Sequence, residues 1–420
     1  MRRHLRLARL AGWNVIDQVL SALTNIVLVI LVANYVQSPS AFGAFMVSLL
    51  VFQVCIGIER ALVGQPMSIR YSTATGDRLD SGRSRALGTA LGVGLLGAAG
   101  CTVAGVLIGG LLGPTLMATG IVMPFLMLQD ASRLIFFARS RPAYAAANDA
   151  LWAIVQFTGI WLLALFTRPT AATLVLVWGG SAAVCVAVAL VQLRVLPNLG
   201  GVASWLREHK DISAYLLAEY LLGAGAFQGG ITATGALIGG ERGLAVIGAL
   251  KAAQTVLGPL NMLITALQSF ALPQLAQRDW LTSRQRWKVA LTTSAVMASL
   301  ATVYSTVVLT IPHSWGQALF DQSWDGARGV LLPLAIGATA GMLAQGCAIV
   351  IYSLGLARRT FRIMSVEAPL VFTLMIIGAL VDGANGAAWG MCLDQVGLIP
   401  LWFWTLRGVL RDADRGRRAS

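Results

Sequence analysis

Residues 244–273 read LAVIGALKAAQTVLGPLNMLITALQSFALP, thirty residues with a single charge, Lys251. At about 1.5 Å per residue, a helix of this length exceeds a hydrocarbon core of roughly 30 Å, so the run is read as a transmembrane helix. A cation at depth in lipid costs at least ~2.5 kcal/mol, and such residues usually face a polar cavity or a partner. Lys251 lies seven residues past Leu244, so its ammonium could instead snorkel back to the nearer surface. Position alone leaves both readings open.

The rest of the chain repeats the pattern. Apolar runs fall at about 13–36, 41–62, 86–110, 114–137, 143–167 and 171–193. After a polar stretch they resume at 213–238, 244–272, 289–311, 329–354, 361–381 and 384–406. Twelve spans in a chain that is 57% hydrophobic and 12% charged, with mean hydropathy +0.73, exclude a soluble globular protein. The expected fold class is all-α: a polytopic membrane protein of about twelve transmembrane helices.

An even number of spans places both termini on one side, and the cations test which side. Cytoplasmic loops should hold the excess of Lys and Arg. With the N-terminus inside, 25 of the 31 Lys and Arg fall in inside segments. Only Arg168, Arg242 and Arg328 fall outside, and Arg60, Arg133 and Lys251 lie within spans. The net charge of +13 therefore reports topology and not nucleic-acid binding. The expected location is the inner (cytoplasmic) membrane, with both termini cytoplasmic. The N-terminal MRRHLRLARLAGW has no small-residue cleavage site after a short apolar core, and reads as a lead into the first span.

The longest internal polar stretch, RVLPNLGGVASWLREHKDIS at 194–213, divides the spans six and six. The expected organisation is an N-lobe (1–193), a cytoplasmic linker (194–212), a C-lobe (213–406) and a basic cytoplasmic tail (407–420). Within the linker, residues 205–210 read as a short interfacial helix with Trp205 at headgroup level. The halves resemble each other weakly. Each begins with a polar-spotted span and a short outer turn, then a second span ending near a proline, Pro66 or Pro273. Polar residues recur too: Asp17 and Asn25 against Glu219 and Gln228, and Gln53 against Gln254. Two pseudo-symmetric lobes around a central cavity follow, an arrangement that favours a transporter. Gly88/Gly92, Gly105/Gly109, Gly225/Gly229 and Gly235/Gly239 are spaced for close helix packing.

Soluble chemistry is absent. There is no GxxxxGK[ST] and no HExxH, and His4, His209 and His313 lie outside the spans. Cys55, Cys101, Cys185, Cys347 and Cys392 sit in apolar runs without metal-ligand spacing. No cofactor, metal site or catalytic residue is expected, and the chain is not read as an enzyme. A membrane glycosyltransferase or polymerase would usually need a sizeable outer loop with catalytic acids, whereas the longest one here, 312–328, offers only Asp321 and Asp325.

Three segments, SAFGAFMVSLLVFQ (40–53), 239–273 and GQALFDQSWDGARGVLLPLAIG (316–337), resemble the second span, the seventh-to-eighth hairpin and the ninth-to-tenth connection of polysaccharide flippases. These belong to the multidrug/oligosaccharidyl-lipid/polysaccharide exporter superfamily, and the six-plus-six layout matches along nearly the whole chain. The resemblance implies two six-helix lobes that alternate between inward and outward openings. It further implies a polyprenyl-diphosphate-linked glycan as substrate, contact with membrane lipids, and a glycan polymerase or glycosyltransferases as partners, with no nucleic acid. By that analogy Lys251 meets the diphosphate as a compact point charge, with Arg60, Gln53 and Gln254 as further substrate contacts.

Arg60 and Arg133 lie within about a turn of the expected cytoplasmic face, where an arginine can reach headgroups. Glu59 and Arg60, as direct neighbours, do not share a helix face, whereas Asp130 and Arg133 at i,i+3 could pair. Asp17, Glu219 and Asp394, with Glu367, are the intramembrane acids available for ion coupling. Asp394 stands deepest, and Asp17, Glu219 and Asp149 also fit ordinary interfacial positions. A cation-coupled multidrug pump of the same superfamily, using Asp17 or Glu219, is the alternative function.

Overall fold

A computed structural model describes residues 23–36, 38–71, 76–139, 141–276 and 280–419, whose regular structure is helical with no strand among them. The helices are α1 (Leu23–Tyr35), α2 (Pro39–Arg70), α3 (Gly76–Ile108), α4 (Leu112–Ala138), α5 (Pro142–Phe166) and α6 (Ala171–Leu193). They continue as α7 (Leu199–Ile238), α8 (Gly240–Val256), α9 (Gly258–Ala276), α10 (Ser283–Leu309), α11 (His313–Phe320), α12 (Ser323–Ser353) and α13 (Ala357–Ala419).

Nine of these helices are long and apolar enough to cross a membrane. α13 counts once, yet it is broken at Asp382 (φ −144°, ψ 37°) and Gly383 (φ 53°, ψ −130°), and its two arms fold back on each other. α8 and the start of α9, Gly258–Ile264, meet at 51° and together make one more span. α1 is the described part of the run at 13–36. With these counted, the described helices account for the twelve spans read from the sequence.

Local sequence explains the ends. Ser38 caps α2, its hydroxyl accepting from the Ala41 amide at 3.2 Å, with Pro39 at the first helical position. Thr170 and Thr282 open α6 and α10 with reciprocal caps from Thr173 and Gln285. Three hairpin turns share one nine-residue pattern: GVLIGGLLG at 105–113, GALIGGERG at 235–243 and GALVDGANG at 378–386. The middle glycines take left-handed conformations, Gly109 at φ +61° and Gly239 at φ +74°. The outer glycines let the two arms touch: a Cβ on Gly105 would sit 2.8 Å from the Gly113 carbonyl, and one on Gly243 would overlap that of Gly235. Gly109 and Gly239 thus make turns, not helix-packing faces.

The chain forms two compact units, 1–228 and 229–420. In the first, α4 is the most buried span and packs on α2, α3, α5 and α6. In the second, α12 holds the same place against α8, α9, α10 and α13. Residues 202–211, from the polar stretch read as a linker, are the opening turns of α7 and dock on the first unit. Trp205 does not face the surroundings of the protein. It is fully buried, stacked on Tyr71 (5.5 Å), because Arg70 pairs with Asp211 (2.6 Å) and Arg85 with Glu208 (2.8 Å) around it.

Two proline-associated breaks differ from the sequence reading. α2 does not end near Pro66 but runs on to Arg70, through a π-helical turn at Arg60–Gly64. In an α-helix the amide of residue 66 would bond the Leu62 carbonyl, and proline has none. The Trp205 indole N–H donates to that carbonyl instead, at 2.9 Å. The run at 244–273 is likewise not one helix but bends at Leu257, where Gly258 and Pro259 follow. There the Tyr304 hydroxyl donates to the Val256 carbonyl at 2.6 Å.

Candidate functional site

Each unit encloses charged and amide side chains, gathered in one group in the first and in two in the second. In the first, Arg60 opens the π-helical turn of α2 and clasps Asp130 of α4, Nε to Oδ2 and Nη2 to Oδ1, both 2.8 Å. Asp130 is 2% exposed. This bidentate fork is the strong form of a charge-assisted pair. Arg133 stands 3.8 Å from Asp130 and 3.2 Å from Asp149, which also accepts from Gln129 at 2.9 Å. The i,i+3 contact of Asp130 and Arg133 is therefore present but is the looser one.

Arg133 is half-buried and Asp149 buried, and the two are engaged with each other, since α4 and α5 pack side by side. Arg60 lies ten residues before the end of α2, about 15 Å along the helix, and not within a turn of that end.

Glu59 is fully buried, adjoins Asp130, and accepts no hydrogen bond at either carboxyl oxygen. On a regular helix Glu59 and Arg60 would diverge by about 100°. Here both meet Asp130, and the change of helical pitch begins between them. Tyr220 of α7 lies over Gly57 and donates to the Gln53 carbonyl at 2.5 Å. Glu219 is half-buried beside it, and a second π-helical turn, Leu221–Gly225, follows. Asp17 lies outside the described residues.

In the second unit Lys251 is 8% exposed on α8, six residues before the bend, its carbonyl accepting from Thr255 at 2.8 Å. Gln254, three residues on, shares that helix face, and its side-chain amide nitrogen is buried without a partner. Asp394 of α13 is fully buried and joined to Glu367 through Gln395, whose amide donates to both carboxyls at 3.1 and 3.0 Å. Its other oxygen, Oδ1, is unpartnered. A groove of about 370 Å³ between α10 and α12 is lined by Thr302, Ser305, Thr306 and Thr339 with apolar neighbours. Among the described residues, no three His, Cys, Asp or Glu side chains form a group that could hold a metal.

The structure therefore joins Arg60 to Asp130 and Glu59, places Gln53 under Tyr220, and sets Lys251 with Gln254 and Asp394 with Glu367. The sequence reading missed Glu59, and no local signal marks it: its neighbours on α4 lie some seventy residues away.

No family model and no curated protein matches this chain. Solved structures do. A multidrug resistance MATE family transporter of the MOP superfamily, in an inward-facing conformation, superposes with TM-score 0.68 at 13% identity, covering 94% of this chain and 96% of that one. The lipid II flippase MurJ, in an inward closed conformation, gives TM-score 0.67 at 12% identity, covering 94% and 87%. A MOP superfamily transporter from Pyrococcus furiosus gives 0.56 at 12%, covering 97% and 95%. The protein is a multi-pass membrane protein with the fold of MOP superfamily transporters. Within that class, its fold is shared by both multidrug transporters and a lipid flippase.

Proposed function

We propose that this protein translocates a polyprenyl-diphosphate-linked oligosaccharide, or a related lipid-linked glycan, from the cytoplasmic to the outer leaflet by alternating access. It would act in the inner membrane with both termini cytoplasmic, alongside the glycosyltransferases and polymerase that make and use the glycan. The observation that supports this most is Lys251: an ammonium enclosed within an apolar helix, one turn and a half before that helix bends, in a fold shared with a lipid II flippase. An enclosed cation attracts an anionic ligand such as a diphosphate far more strongly than one in water. Gln254 supplies an unpartnered amide on the same face and could hydrogen-bond the same group.

The second reading, a cation-coupled multidrug pump, rests on the buried Asp394–Gln395–Glu367 group and on the MATE neighbour. The test is the leaflet distribution of polyprenyl-linked oligosaccharide in cells depleted of the protein and rescued with wild type or Lys251→Ala. Cytoplasm-facing glycan should build up on depletion, and only wild type should clear it. Clearance by both removes Lys251 from the substrate site. No build-up at all moves the conclusion to the pump, which drug resistance on expression would then support.

A further inference from the structure

We propose that Glu59 is the proton-carrying group of the transport cycle, holding its proton while Asp130 clasps Arg60 and releasing it as that clasp opens. This rests on the transport reading above.

The argument begins with charge. The group formed by α2, α4 and α5 contains three carboxyls, Glu59, Asp130 and Asp149, and two guanidinium ions, Arg60 and Arg133. One proton on the carboxyls makes it neutral; none leaves it one charge negative inside an apolar bundle. Asp130 and Asp149 accept hydrogen bonds from Arg60 and Gln129 and so are stabilised as anions. Glu59 is wholly enclosed, touches another carboxyl and receives no donor. A buried carboxylate without donors is strongly disfavoured, and two adjoining carboxyls do not both ionise. The proton of the arrangement seen here therefore belongs to Glu59.

Losing that proton to water requires a donor for the new carboxylate. Glu59 meets Asp130 and Arg60; around them stand Arg133, engaged with Asp149 and Asp130, and the Tyr220 hydroxyl, which donates to Gln53 and neighbours both Arg60 and the Cys55 thiol of α2. Cys185 of α6 stands behind Asp149. Arg60 is the cation that can turn from Asp130 to Glu59. It opens the π-helical turn at Arg60–Gly64, a metastable geometry frequent at functional sites. Proton binding and an opened clasp are then alternatives, so a proton biases the conformation of α2 and conformation biases proton affinity.

The full-length protein in liposomes tests this by infrared spectroscopy as pH is raised. Wild type and Glu59→Asp should show a protonated-carboxyl band that is lost, and Glu59→Gln, which mimics the neutral form and keeps the shape, should lack that band. A band of wild-type size in Glu59→Gln, or none in wild type, overturns the proposal whatever the substrate. In depleted cells, Glu59→Asp should clear the cytoplasm-facing glycan and Glu59→Gln should do so at least about tenfold more slowly. Wild-type clearance by Glu59→Gln overturns the coupling role. Absence of glycan build-up on depletion refutes the flippase reading alone, because the infrared result still decides the proton site.

Discussion

Asp130 receives two bonds from Arg60 while a second guanidinium stands 3.8 Å away. Asp130→Asn removes the charge that both arginines face and leaves Arg60, whose side chain is 42% exposed, without its counterion. We expect a loss of about 1–3 kcal/mol, read as a lowered unfolding temperature of the detergent-solubilised protein. Arg60→Lys keeps the charge but not the fork, and should cost less than Asp130→Asn by the same measurement. The Asp130–Arg133 contact was legible because three residues bring side chains to one helix face. The Arg60 contact was not. Nothing in the spacing of residues 60 and 130 ties them together, and only the packing of α2 on α4 does so. For Lys251 the sequence supplied the anomaly of a charge in an apolar run, and the structure added that it is enclosed by protein.

The helices carry the most direct departures from the sequence reading, and each has a carbonyl at its centre. Pro66 and Pro259 interrupt the amide ladder, and an aromatic donor from another helix takes up a carbonyl at each break: Trp205 at Leu62, Tyr304 at Val256. Inside lipid, a freed carbonyl without a partner costs several kcal/mol, so these donors are what permit a bent span in place of a terminated one. Trp205→Phe keeps the stacking on Tyr71 but removes the donor, and should destabilise by about 1–3 kcal/mol. Pro66→Ala, which restores an amide, should reduce that loss in the double variant, and a cycle of thermal unfolding measurements reads the coupling. The glycine hairpins allow a sharper contrast. Gly243→Ala puts a methyl onto the Gly235 carbonyl and should lower stability by about 1–3 kcal/mol. Gly229→Ala meets nothing within 4 Å and should be near neutral in the same assay.

For the whole molecule, the cation distribution predicts sidedness. The native cysteines are buried or half-buried, so a new exposed cysteine reports cleanly with a membrane-impermeant maleimide. Gln322→Cys should label in intact spheroplasts, and Arg284→Cys only after permeabilisation; the reverse pattern inverts the topology. Both positions are exposed.

Class, helix number and the candidate charges were determined by sequence alone, because lipid imposes a length and a polarity on each span that hydropathy reads directly. The resemblance to one exporter superfamily was legible in the order of weak segments, and the shared fold agrees with it. Tertiary structure decided where spans bend, why Trp205 is interior, and which acids meet which arginines. Those outcomes depend on contacts between helices far apart in sequence, and within an apolar bundle many residues could make them. The sequence shows that Glu59 is a carboxyl in a span; only packing shows that neither of its oxygens accepts a hydrogen bond.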